Sequence, residues 1–337
     1  MSSSRPSRDR SLGRALLLCA SVASAGVLMT PAPRAAFGAE DVPVRGDSTL
    51  HARRSEWREA AIRRRGGAER GRIDDDSLKG RSGKLRMVLV PRSAQRVGIL
   101  ERLFGDSLLR SPGVHVVRDS ASAGPFSLIT MRDFTDKLRG RIGAYRIGFW
   151  PGERGRRVSE AYENPDGFIE VTPDNADTPV SEHFRLRDFL THDQEDVWPK
   201  YLVLRAPLVD KLELVIAQLE ARGIRVTHMR VMSGFRTPQY NAHGGETGGR
   251  SRVSRHMYGD AADVFVDNDG DGRMDDLNRD GRIDRRDAQV IRDAVEAVER
   301  SHGDLVGGVG VYRATRSHGP FAHVDVRGNR ARWGLLR

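Results

Sequence analysis

Two stretches of the chain carry residue types and spacings suited to metal chemistry. The first is Ser254-Arg255-His256-Met257-Tyr258-Gly259-Asp260-Ala261-Ala262-Asp263, and the second is Phe321-Ala322-His323-Val324-Asp325. Together they read as a split zinc site. Imidazoles with one carboxylate leave a tetrahedral zinc with a fourth position for water, which is the catalytic arrangement. A structural zinc site usually draws on cysteine, and the chain has only Cys19. His256 and Asp263 are separated by a tight segment in which Gly259 lets the backbone turn sharply, so both side chains can converge on one ion.

A bare His and Asp at this spacing would be an ordinary surface pair. The surrounding Ser-x-His-x-x-Gly-x-Ala-x-Asp pattern is far more specific. Upstream lie Ser233-Gly234-Phe235-Arg236-Thr237-Pro238 and Asn241, and downstream lie Gly307-Gly308-Val309-Gly310 and the closing His323-Val324-Asp325. On these residues the chain from Leu202 onward resembles the M15 family of zinc peptidases, the D-alanyl-D-alanine metallopeptidases, and within it the peptidoglycan-hydrolase branch. The resemblance implies that His256, Asp263 and His323 bind zinc and that Arg236, with Ser233, touches the substrate. It also implies a substrate of peptidoglycan peptides, cut by a carboxypeptidase or a cross-link endopeptidase. An arginine so placed could pair with a substrate carboxylate or with a developing oxyanion.

One departure from the family matters. Relatives often place Glu or Asp three residues before the last His ligand as general base, and here that position is Pro320. His318 and Asp325 are the nearby catalytic candidates. Asp325 lies two residues from His323 on an expected strand, hence on the same face, where it could serve as base or orient a ligand. His318 could equally face solvent in the Gly319-Pro320 turn. The Gly-rich segment from His243 to Arg250 reads either as a lid or as a plain connection.

A second set of potential ligands follows the first zinc stretch. Asp276, Asn278, Asp280, Asp284 and Asp287 occupy positions one, three, five, nine and twelve of a loop with Gly281 at six and Ile283 at eight. This resembles the calcium loops of dockerins and EF-hands, whose hard oxygen ligands surround Ca²⁺ at these offsets. Asp267, Asp269 and Asp271 begin another such pattern, but its twelfth position falls on Asn278, already used. The expectation is a calcium-loop insertion over 267–287 with one full site and one partial second site. The alternative is an acidic solvated loop.

The elements that must position these groups are those of an α+β fold. Leu208, Leu212, Val215 and Leu219 recur at helical spacing and Gly223 follows as a stop. Val226 to Met232, Val264 to Val266, Val309 to Tyr312 and His323 to Val326 read as strands, with a helix over Ala288 to Arg300. These make residues 202–337 a zinc metallopeptidase domain with a mixed or antiparallel sheet and flanking helices. Residues 84–172 carry short β-like runs at Leu85 to Val90, Val114 to Val117, Phe126 to Met131, Ile142 to Trp150 and Phe168 to Val171, a small strand-rich domain. Residues 173–201 connect the two. Tyr145, Phe149 and Trp150 would offer a glycan surface if exposed, but burial preference favours the core.

The chain has 337 residues, is 38% hydrophobic and carries a formal charge of +10. Such a surface attracts polyanions without choosing among nucleic acid, anionic lipid and an acidic wall, so no specific nucleic-acid partner is expected. Arg5, Arg8, Arg10 and Arg14 precede an apolar run from Ala15 to Thr30, which reads as a secretory signal peptide within residues 1–39. That places the protein outside the cytoplasm, in the periplasm or cell envelope. The run is short for a bilayer, so no stable membrane span is expected after cleavage. Cys19 would leave with it, and disulfide staples with Cys19. Residues 40–83 are Arg-rich and poor in large apolar side chains, a basic linker. The leading expectation is an exported zinc peptidase. Its rival is a non-catalytic metal-binding envelope protein that binds cell wall, and charge alone motivates a third, a secreted nucleic-acid-binding protein.

Overall fold

Asp263 and His323 lie on adjacent strands of one five-stranded sheet, and the rest of the fold is arranged around it. The computed structural model describes residues 79–91, 111–117, 126–155, 162–243 and 251–334. The expected signal peptide, all but the end of the basic linker, and the Gly-rich segment after His243 lie outside them.

Three small sheets precede the large one. β1 (Met87–Val90) runs parallel to β3 (Phe126–Thr130), and β2 (Gly113–Val117) pairs antiparallel with β3 on its other edge. β4 (Arg132–Asp133), β7 (Gly167–Val171) and β8 (Lys200–Leu202) form an antiparallel sheet. β5 (Arg141–Ile142) and β6 (Tyr145–Arg146) make a hairpin. The run from Ile142 to Trp150 is therefore not one strand. Gly143 and Gly148 adopt positive φ, and Pro151 then opens a 3₁₀ turn, so the chain bends too often to extend. Tyr145 and Trp150 are core residues at 1% and 0% exposure, whereas Phe149 is 42% exposed.

α1 (Ala206–Glu220) begins with Pro207 in its first turn, where a missing N–H costs nothing. It buries Leu208, Leu212, Val215 and Leu219, the spacing seen in the sequence. β9 (Met229–Ser233), the short α2 (Pro238–His243), β10 (Ala261–Val266), α3 (Arg285–Ser301), β11 (Gly308–Tyr312), β12 (Phe321–Asp325) and β13 (Ala331–Trp333) follow. The sheet order is β13-β11-β12-β10-β9, antiparallel except where β13 runs parallel to β11. α3 packs on α1 and against β11 and β12. Val309, Val311, Ala322 and Val324 are buried apolar residues alternating with Gly310 and His323, so one face of the sheet is greasy and the other carries chemistry.

The architecture is a mixed α and β fold with few helices. Its apolar core is continuous from Leu85 to Val324. The Trp150 indole donates to the Met257 carbonyl at 2.9 Å, and β7 pairs with β8. The boundaries expected near 172 and 201 are thus not breaks in the packing, because the early sheets complete the same core that supports the turn carrying His256. Among the described residues no helix is long and apolar enough to cross a membrane.

Candidate metal centre

His323 and Asp263 face each other across β12 and β10, in direct register. Ser233 is Asp263's partner on β9, where the register shifts at a bulge beside Val264. His256 reaches the same place from a 3₁₀ turn over Arg255–Tyr258. That turn ends at Gly259, with φ of 66°, and a side chain there would run into the Val203 carbonyl. Arg255 and Asp260 form a buried ion pair that ties the turn to the start of β10.

Three ligand atoms converge. His323 Nδ1 lies 2.9 Å from Asp263 Oδ1 and 3.2 Å from His256 Nε2, and His256 Nε2 lies 3.3 Å from Asp263 Oδ1. Ligands about 2.0–2.1 Å from a tetrahedral zinc would lie about 3.3 Å apart, so the donor set and its spacing fit that ion. The groups behind the ligands fix which nitrogen faces inward. His256 Nδ1 donates to the Gly234 carbonyl at 2.7 Å, leaving Nε2 as the lone-pair atom. His323 Nε2 meets Asp325 Oδ2 at 3.1 Å, leaving Nδ1. Such partners orient a ligand and raise its basicity.

All three residues are buried, and burial and the neighbouring charges together shift their pKa values. Burial pushes the His256 pKa down, toward the neutral form that a metal requires. Burial opposes charge on Asp263 too, but the imidazoles of His256 and His323 outweigh it and hold the carboxyl well below its usual range. For His323, burial is outweighed by the Asp263 and Asp325 carboxylates, which raise its pKa.

Arg236 stands at the edge of this cluster. Its guanidinium donates to Asp263 Oδ2 at 2.5 Å and to Ser233 Oγ at 2.8 Å. Arg236 and Ser233 therefore lie beside the His256, Asp263 and His323 cluster. Asn241 is held in place by donating to the Ser251 carbonyl at 3.0 Å.

The structure places Asp325 behind His323, away from the converging atoms. Asp325 is 0% exposed. Its Oδ1 accepts the Gly308 N–H at 2.7 Å, Arg327 pairs with it, and buried Lys211 from α1 donates to its backbone carbonyl at 2.8 Å. Burial disfavours its charged form, but His323 and Arg327 hold its pKa far below the usual carboxylate range. So placed, Asp325 is suited to orient His323 rather than to meet a water beside the converging atoms.

His318 sits over Phe321, with ring centroids 5.0 Å apart, and its Nδ1 donates to the Gly319 carbonyl at 2.8 Å. Phe321 stacks on Tyr312 at 4.5 Å, and the Tyr312 hydroxyl accepts from Trp333 Nε1 at 2.8 Å. The Trp333 ring lies 5.1 Å from that of His323. This row of rings was not read from the sequence. Its one signal was Gly310, which must be glycine because a side chain there would collide with the Trp333 indole. His243 is exposed and bonds within its own helix, to the Gln239 carbonyl at 2.6 Å.

The acidic insertion differs from its sequence reading. Asp267, Asp269 and Asp275 bring carboxylate oxygens within 4.8 Å of one another, while Asp271 is not among them. Its Oδ1 accepts the Arg273 N–H instead. In the following loop Asp276, Asp280, Asp284 and Asp287 do not converge in that way. Asp276 accepts from the Asp280 and Gly281 N–H groups, as does Asn278 from Asp280. Asp284 caps α3 by accepting from Arg286, and buried Asp287 accepts from Leu277, Asn278 and Asp284. No family model, no curated protein and no solved structure matches the chain.

Proposed function

We propose that the chain is an exported zinc peptidase of the periplasm or cell envelope that hydrolyses D-amino-acid-containing peptide bonds of peptidoglycan, as a carboxypeptidase or cross-link endopeptidase. The observation that carries the metal chemistry is the convergence of His256 Nε2, Asp263 Oδ1 and His323 Nδ1, with the far nitrogen of each imidazole fixed by a separate partner. The substrate class rests on the resemblance of the motifs around it.

His256, Asp263 and His323 would hold the zinc, which when bound lowers the pKa of water toward neutrality and polarises a carbonyl. The Gly234 carbonyl and the Asp325 carboxylate keep the two imidazoles in the ligating tautomer. Arg236 restrains Asp263 through Oδ2, and its remaining N–H groups would pair with a substrate carboxylate or with the oxyanion. With Pro320 in the usual place of an acid and Asp325 sealed behind His323, His318 is the group left to take the proton from the attacking water, at Nε2. Nδ1 is already engaged with Gly319.

The second reading, a non-catalytic metal-binding envelope protein that binds cell wall, is favoured by Pro320 alone. Incubating the purified chain with peptidoglycan fragments, with and without chelator, separates the two. Chelator-sensitive release of D-alanine or of uncrosslinked peptides is the expected result; zinc-loaded protein that binds wall fragments and cuts none would establish the second reading.

A further inference from the structure

We infer that Asp267, Asp269 and Asp275 form a site for a hard divalent cation of the Ca²⁺ type, which closes the loop that follows β10. This goes beyond the peptidase reading and does not depend on it. The three residues bring carboxylate oxygens within 4.8 Å of one another, a repulsive arrangement unless a cation lies among them. Proximity of acids alone is common. The second observation is Asp267 itself, which is 0% exposed and whose Oδ1 has no hydrogen-bond partner. A buried carboxylate oxygen without a partner is costly.

Its other oxygen is fully occupied. Oδ2 accepts the Gly272 N–H at 3.1 Å and pairs with Arg230 at 3.0 Å, which leaves Oδ1 as the oxygen available to the cluster.

The loop is already shaped around these oxygens. The Asn268 side chain accepts the Thr227 N–H at 2.7 Å and donates to the Arg225 carbonyl at 2.9 Å. Asp275 donates its N–H to the Val266 carbonyl at 2.9 Å, and its Oδ2 accepts the Asn268 N–H at 3.1 Å. Asp267 donates to the His228 carbonyl at 3.0 Å. The chain thus leaves β10, circles through Asp269 and returns to β10 at Asp275, with no imidazole or sulfur in the cluster. An all-oxygen donor set of this kind favours a hard cation such as Ca²⁺ over zinc.

The test is calorimetric titration of Ca²⁺ into the full chain after treatment with a chelating resin, with melting temperature followed in parallel. Wild type is expected to bind one Ca²⁺ with a dissociation constant at or below about 10⁻³ M, the range of extracellular calcium modules, and to melt at higher temperature as Ca²⁺ rises. Asp269→Asn and Asp275→Asn, at more accessible positions than Asp267, should each weaken binding about tenfold or more while keeping the circular dichroism of wild type. Asp280→Asn, in the following loop, should bind as wild type does. Absence of both heat and melting shift in wild type would overturn the inference. So would loss of binding in Asp280→Asn with retention in Asp275→Asn, which would move the cation to the following loop.

Discussion

Asp263 and Asp267 lie four residues apart, the first on β10 and the second just past its end. They present their carboxylates alike. Each gives Oδ2 to an arginine, Arg236 for Asp263 and Arg230 for Asp267, and each keeps Oδ1 for the neighbouring cluster. The neighbours differ, and with them the ion each cluster suits: two imidazoles beside a carboxylate are a donor set for zinc, and three carboxylates one for calcium. The means of support differ as well. His256 is oriented by the Gly234 carbonyl after β9, and His323 by Asp325 on its own strand, itself backed by Lys211 of α1 and by Arg327, whereas Asp269 and Asp275 accept backbone N–H groups of their own loop. The first site should therefore fail when the tertiary fold behind it is altered, and the second when its own oxygens are.

The largest effect is expected from removing an imidazole. His256→Ala and His323→Ala should each abolish stoichiometric zinc, measured by atomic absorption, and with it hydrolysis of wall peptides. Two remaining ligands are too few to hold the ion. Full zinc occupancy in both variants would sink the centre as drawn. Ca²⁺ binding should be unchanged in either, because the loop does not borrow the imidazoles.

Arg236→Ala should lower turnover by about 10²–10³-fold, the usual cost of removing a donor that meets developing charge. Zinc content should fall much less. Equal losses of zinc and turnover would mean that Arg236 serves only to restrain Asp263.

A smaller effect is expected at Asp325. Asp325→Asn should weaken zinc affinity by about 10–100-fold, as is typical when a partner behind a metal-bound histidine is lost. Turnover per bound zinc should stay near that of wild type. A drop of about 10²–10⁴-fold per bound zinc would instead restore Asp325 as the general base and remove His318 from that role.

These expectations also mark what the sequence could carry. His256, Asp263 and Gly259 were legible because one short turn holds them and its pattern is local. The strands around them were legible for the same reason, since Val309 and Val311, or Ala322 and Val324, alternate with the site face. Asp325 was legible only as one of two things, a base or a group orienting His323, because a strand pattern puts it on the face of His323 without saying that Lys211 and Arg327 close in behind it. Tyr312 and Trp333 read as ordinary aromatics, since only the parallel pairing of β13 with β11 brings them together. In the insertion, loop spacing named Asp271 at the fifth position, but that carboxylate turns to its own backbone and Asp275 takes its place. The continuous core across residue 172 was hidden because contacts such as Trp150 to Met257 join segments far apart in the chain.

The smallest expected effect separates the two arginines. Arg230 is half exposed, at 48%, and its charge lies beside Asp267 Oδ2, so in the Ca²⁺-bound loop it would repel the ion. Two like charges about 4 Å apart in water interact by about 1 kcal/mol, so Arg230→Ala should raise Ca²⁺ affinity by about two- to fivefold. The effect should fade at high salt, as exposed charge effects do. Loss of Arg230 also leaves Oδ2 with only the Gly272 N–H, which makes a second Asp267 oxygen available to the ion. If Arg230→Ala weakens Ca²⁺ binding instead, Arg230 orients Asp267 as Arg236 restrains Asp263. The two carboxylates would then be alike in support as well as in presentation, and the contrast between a site built by the fold and a site built by its own loop would not hold.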